Sequence, residues 1–386
     1  MSSKKSFPFL SLPVPAMESV FKQSYKIDLV NLMFTSEHLL TILTSMRFKS
    51  SCLKIFVDSC DFYVILEFSN ESKFTWEVST KELDRHDIHR YCREPVGTIK
   101  IRDTVLKYNS MISASDKLIT SVAKEDRYSV FKMIIEHLLS IVKVEKVNLS
   151  LNPKPISDQL DDFLAWKPIQ KLDSLKLTGG TDHQRKKVLD AIEMDCLALD
   201  CVFKKPHQHE KLLTVPKLYV TGKHILTKET VLLRNQEHTS YGRPIDLTEN
   251  NFVEYIRHWL RGGYENMKML QLRFRGPAAP MFNAALAHFR NQWKKYPMNF
   301  RPRFYQISYN LLCNMLTVVY LERADGKRLN MFYGYDDFIW LFTLDEGIPE
   351  FKVPTGMRRY CRGYKKDFYR VLMPLKPLVL MEKTEV

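Results

Sequence analysis

The chain is predicted to be an α/β protein in which a short helical module precedes a larger domain of alternating strands and helices. Three observations predict it. Residues 7–47 place apolar side chains at helical spacing, residues 52–108 alternate apolar with polar, and from residue 126 onward a short apolar signature recurs between helical stretches.

In the first segment, Ala16, Met17, Val20 and Phe21 share one helical face. Ile27 to Met33 is densely apolar, and Leu39, Leu40, Leu43 and Met46 recur as on a third helix, which Ser36 can cap. The next segment, residues 52–125, reads as a small β-rich linker region. Its strands run through Leu53, Ile55 and Val57, through Val64, Leu66 and Phe68, through Phe74, Trp76 and Val78, and through Ile99 and Ile101. Helical spacing returns over 127–144 with Val130, Ile134, Leu138 and Ile141.

The signature L-x-x-L-x-L then occurs at Leu172, Leu175, Leu177; at Met194, Leu197, Leu199; at Val215, Leu218, Val220; and at Met267, Leu270, Leu272. Shorter versions at Leu149 and Leu151 and at Ile245 and Leu247 extend the series, so its anchors are Leu149, Leu175, Leu197, Leu218, Ile245 and Leu270. These spacings lie in the range of about 20 to 29 residues of leucine-rich repeats, in which each unit buries its neighbour's apolar edge. Residues 126–345 are therefore expected to form a leucine-rich-repeat-like α/β domain with mostly parallel strands. A plain α/β core whose strands recur by coincidence is the competing reading, because Gly180, Val202, Lys223 and Arg275 stand where such repeats carry Asn or Cys.

Composition narrows the functional classes. The 386 residues carry a formal net charge of +14, seven cysteines without framework spacing, and no apolar run long enough to span a membrane. The N-terminus lacks the apolar stretch of a signal peptide, which makes a cytoplasmic or nuclear location the expectation. Signatures for phosphate loops, dinucleotides, zinc proteases and hydrolases do not occur, so neither enzymatic activity nor a cofactor is expected. Cys196, Cys201, His207 and His209 fit no compact zinc module, so no metal site is expected either. Asp325-Gly326 predicts a tight hairpin turn built on positive φ values. The tail, residues 346–386, interleaves Arg358, Arg359, Arg362, Lys365, Lys366 and Arg370 with Tyr360, Tyr364 and Tyr369. That pattern suits either a solvated or protein-contacting basic face or, as the alternative function, nucleic-acid binding by phosphate contact and base stacking.

The opening Phe7-Pro-Phe-Leu-Ser-Leu-Pro-Val-Pro-Ala-Met-Glu-Ser-Val-Phe-Lys, with Ile27-Asp-Leu-Val-Asn-Leu and Thr35-Ser36, resembles the F-box of the large nematode F-box family, whose motif starts at a pair like Leu12-Pro13. The stretch Leu247-Thr-Glu-Asn-Asn-Phe-Val-Glu-Tyr-Ile-Arg-His-Trp-Leu-Arg-Gly-Gly resembles the signature of that family's type-2 F-box-associated domain. Met267 to Leu272 matches the strand that comes after it, and Arg323-Ala-Asp-Gly matches the family's final hairpin. Where the family usually has Asp-Leu-Asn, this chain has Asn251-Phe252-Val253.

The resemblance implies an F-box over residues 7–47 and a non-catalytic substrate-recognition subunit of an SCF-type E3 ubiquitin ligase, built on a Skp-family adaptor and a cullin. Leu12, Pro13, Val20, Phe21, Ile27, Leu29 and Val30 would bind the adaptor. Target binding is expected on the exposed strand faces at Asn148, Ser150, Ser174, Lys176, Lys217, Tyr219, Gln271 and Arg273. Their mixture of Lys, Arg and Tyr suits an acidic or phosphorylated protein substrate. No membrane partner is expected.

Overall fold

The computed structural model describes residues 12–23, 37–46, 48–59, 62–68, 73–80, 97–101, 103–111, 116–201, 209–222, 235–245, 247–274, 277–296, 304–308, 311–314, 318–333 and 338–344. The chain is a mixed α/β protein that divides into two compact units, Met1–Asp195 and Cys196–Val386.

The first unit opens with helices α1 (Val14–Gln23) and α2 (Glu37–Met46). The middle helix expected from Ile27 to Met33 falls outside the described residues. Strands β1 (Phe48–Ser50), β2 (Cys52–Val57), β3 (Phe62–Glu67), β4 (Lys73–Ser79), β5 (Gly97–Ile101), β6 (Thr104–Met111) and β7 (Asp116–Ser121) come next. Then come α3 (Arg127–Ile141), β8 (Val142–Val144), β9 (Val147–Leu151), α4 (Leu160–Ala165), β10 (Lys171–Leu177) and α5 (Asp182–Ala191). The strands of the main sheet lie in the order β5-β6-β7-β4-β3-β2-β9-β10.

Alternation in β3 buries Phe62, Val64 and Leu66, while the α3 stripe of Phe131, Ile134, Ile135 and Leu138 is buried as well. Phe131 meets Phe62 with ring centres 5.3 Å apart. The fully buried Trp76 keeps its indole N–H satisfied by donating to Thr120 Oγ1 at 2.9 Å. The β-rich segment shares one sheet with strands beyond residue 126: β2 pairs in parallel with β9, Ile55 opposite Leu149, so the boundary expected at 125/126 falls inside the first unit. Alternation reveals that a segment is a strand but not which strand lies beside it. Leu149 in turn sits opposite Leu175 in the parallel pair of β9 and β10.

Strand β11 (Glu193–Leu199) crosses the division between the units. The second unit continues with α6 (Lys211–Thr214), β12 (Lys217–Val220), β13 (His238–Ile245), α7 (Glu249–Leu260), β14 (Met269–Phe274), α8 (Ala279–His288) and β15 (Lys294–Lys295). A separate hairpin of β16 (Phe304–Ser308) and β17 (Leu311–Asn314) precedes β18 (Val319–Glu322), β19 (Arg328–Tyr333) and β20 (Phe338–Leu344). The sheet order is β11-β12-β13-β14-β20-β19-β18-β15.

Parallel pairing holds from β11 to β14, with Leu197, Leu218, Thr239 and Leu270 aligned across the four strands. The fifth anchor is thus Thr239, whereas Ile245 lies opposite Phe274 beyond a register shift. A polar residue can hold a leucine position because its hydroxyl is satisfied: Thr239 donates to Gln236 Oε1 at 3.1 Å, and the buried Gln236 amide donates to the carbonyls of Val215 (2.7 Å) and Leu212 (3.1 Å). Parallel order ends at β14, which pairs antiparallel with β20.

Helix α7 buries Phe252, Val253, Tyr255, Ile256 and Trp259, the expected stripe. It begins at Thr248, whose hydroxyl accepts from the Asn251 N–H while Asn251 Oδ1 accepts from the Thr248 N–H, so the departing residue Asn251 has a capping role. It ends as expected at Gly262-Gly263: Gly262 takes φ 96°, its N–H bonds Trp259 O, and Gly263 N–H bonds His258 O. At the Asp325-Gly326 turn only Gly326 has a positive φ, 85°. Gly326 N–H donates to Arg323 O and Arg323 N–H to Lys327 O, which makes a three-residue loop rather than the tighter turn expected.

Candidate functional site

The residues expected to capture a target fall into two groups, each on the half-exposed face of one sheet. In the first unit Ser174 stands opposite Asn148, and Lys176 opposite Ser150. The Asn148 amide donates to the buried Cys52 Sγ at 3.3 Å. The same face continues onto β2 and β3, where Phe56 and Tyr63 stack with ring centres 4.2 Å apart. Its charges are mixed: Glu67 meets Lys54 at 2.9 Å and Lys73 at 3.1 Å.

In the second unit Lys217 stands opposite His238, and Tyr219 opposite Ser240, which in turn faces Gln271. Ser240 Oγ donates to Gln271 Oε1 at 2.5 Å. Arg273 lies 5.4 Å from the Phe338 ring centre and donates to Gly242 O at 3.4 Å, so its guanidinium is held over the sheet. Trp340, opposite Gln271, stacks on Phe332 at 6.0 Å. Burial first, and the nearby Cys196 second, push the Tyr219 phenol up. Burial pushes the His238 imidazole down, as do Lys217 and Lys268, while Glu237 acts the other way. Sequence periodicity does not reveal His238, Ser240, Phe338 and Trp340. It puts the strand anchor at Ile245 rather than Thr239 and carries no signal that β20 adds to β14.

A polar cleft of about 200 Å³ in the second unit is lined by Glu237, Trp259, Tyr264, Glu265, Asn266, Met267, Lys268, Arg323, Lys327 and Thr343. Three segments distant in sequence meet there: the helix that carries Trp259, the strand entry at Met267 and the hairpin at Arg323. Arg323 is buried, forks onto Asp325 at 2.9 and 2.5 Å, and donates to Trp259 O at 3.4 Å. Arg323 beside Asp325 holds that carboxyl down at about 2.

At the N-terminus, Val14, Met17 and Val20 recur at three-residue spacing and share an apolar stripe. Met17 is 1% exposed, whereas Val14 and Val20 are each 44% exposed. Pro13 is exposed and Leu12 half-buried. Phe21 lies within α1, and Ile27, Leu29 and Val30 lie outside the described residues, as do residues 346–386 and His207. Among the described residues no helix is long and apolar enough to cross a membrane, and no group of His, Cys, Asp or Glu gathers that could hold a metal ion. No family model, curated protein or solved structure matches this chain.

Proposed function

We propose that this chain is the substrate-recognition subunit of an SCF-type E3 ubiquitin ligase. Its N-terminal helices, as an F-box, hold a Skp-family adaptor, and the leucine-rich-repeat-like sheets behind them hold a target protein. The chain itself performs no chemistry; it raises the target's local concentration near the catalytic subunits. The observation that carries this reading is the α1 stripe, whose centre Met17 is buried while Val14 and Val20 stay 44% exposed beside the exposed Pro13. Such adjoining apolar surface is what a partner helix covers.

The test is co-purification from cells of the wild type, the Leu12→Ala/Pro13→Ala variant and the Val20→Asp variant. Wild type should bring down a Skp-family adaptor. Both variants should lose it, since truncating a buried anchor costs about 2 kcal/mol and burying an unpaired carboxylate costs more. Full adaptor recovery with both would overturn the reading.

A further inference from the structure

Strands β12, β13, β14, β20 and β19 lie side by side and contain no Asp or Glu, yet they carry Lys217, His238, Arg243, Arg273 and Arg328. On the half-exposed face of the first unit, by contrast, Glu67 meets Lys54 and Lys73. A stretch of strands with no carboxylate of its own is therefore a place where an anionic partner meets complementary charge, at Lys217 and Arg273 rather than at Arg328, which Glu322 of β18 meets at 3.9 Å.

The geometry defines what fits. Tyr219, Ser240 and Gln271 form one row across three strands, flat and polar but uncharged. Lys217 lies two residues before this row on β12, and Arg273 two residues beyond it on β14. With strands about 4.8 Å apart and a rise of about 3.3 Å per residue, the two cations stand about 16 Å apart along a diagonal. An extended peptide covers that distance in about five residues.

We propose that this face of the second unit binds an extended acidic peptide whose two carboxylates, about four residues apart so that both point to the sheet, meet Lys217 and Arg273. The proposal rests on the receptor reading and names the substrate class for it. A nucleic-acid strand fits less well, since it brings a charge with every nucleotide and calls for a continuous row of cations. Here neutral Tyr219, Ser240 and Gln271 occupy the middle of the track.

The experiment uses the full chain and a short fluorescein-labelled Gly/Ser peptide with two glutamates about four residues apart, monitored by fluorescence polarisation. Two comparison probes are the same peptide with its glutamates adjacent and a labelled oligo-dT. The spaced peptide should bind tightest, and Lys217→Glu and Arg273→Glu should each weaken it by about tenfold or more. Arg273→Gln, which removes the charge without reversing it, should weaken it less, with circular dichroism unchanged in all three. Equal binding of both peptides, indifference to the charge reversals, or stronger binding of oligo-dT would overturn the proposal. Adaptor co-purification with the same variants separates the two readings. Retained adaptor with no peptide binding sinks only this inference, whereas charge-dependent peptide binding without adaptor supports it and removes the ligase role.

Discussion

The Arg323 guanidinium lies 5.0 Å from the centre of the Trp259 ring and also donates to the Trp259 carbonyl, tying the last hairpin of the second unit to the C-terminal turn of α7. Both residues are buried, at 8% and 1% exposure, and Asp325 neutralises the charge from within the same hairpin. A buried cation with a bidentate partner and an aromatic face fixes an orientation that apolar packing alone leaves loose.

Replacing Arg323 with Ala should therefore lower the stability of the second unit by about 2 kcal/mol, from the lost cation–π contact and charge-assisted hydrogen bonds. Arg323→Lys should recover part of this, since it keeps the charge but not the fork. The urea midpoint monitored by tryptophan fluorescence measures both. A midpoint for Arg323→Ala equal to wild type would show that the pair is incidental.

Gln236 lets Thr239 hold a leucine position in the strand row by accepting from its hydroxyl. Gln236→Leu leaves the carbonyls of Leu212 and Val215 and the Thr239 hydroxyl short of a partner, so a loss of about 2 kcal/mol is expected. Adding Thr239→Leu should cost less than its separate effect, because the hydroxyl it removes has already lost its acceptor. Strict additivity in a double-mutant cycle would contradict this network.

His238 makes stability depend on mild acid. Its imidazole sits below the ordinary value of 6.5, chiefly through burial, so the unfolded chain binds the proton more readily than the folded one. The contribution is complete above pH 6.5 and is lost as pH falls from there through the lower folded-state value. His238→Gln should flatten the fall in urea midpoint over that window. An unchanged pH profile would mean that the imidazole titrates as if solvated.

Much of the local structure was legible in the sequence. The apolar stripe from Phe252 to Leu260 marked a helix, Gly262-Gly263 marked its end, and the alternations at Leu53, Val64 and Phe74 marked strands, because these depend on period and on conformations that few residue types adopt. The absence of carboxylates from five strands is likewise readable from residue identity alone. Which strands stand together was decided by the tertiary structure: β2 beside β9, β20 antiparallel to β14, and Thr239 in a leucine row. Backbone hydrogen bonding between strands is indifferent to side-chain identity, so order and direction come from packing of the whole sheet. For the same reason Arg323 finds Trp259, 64 residues earlier in the chain, only when the hairpin closes over the helix end.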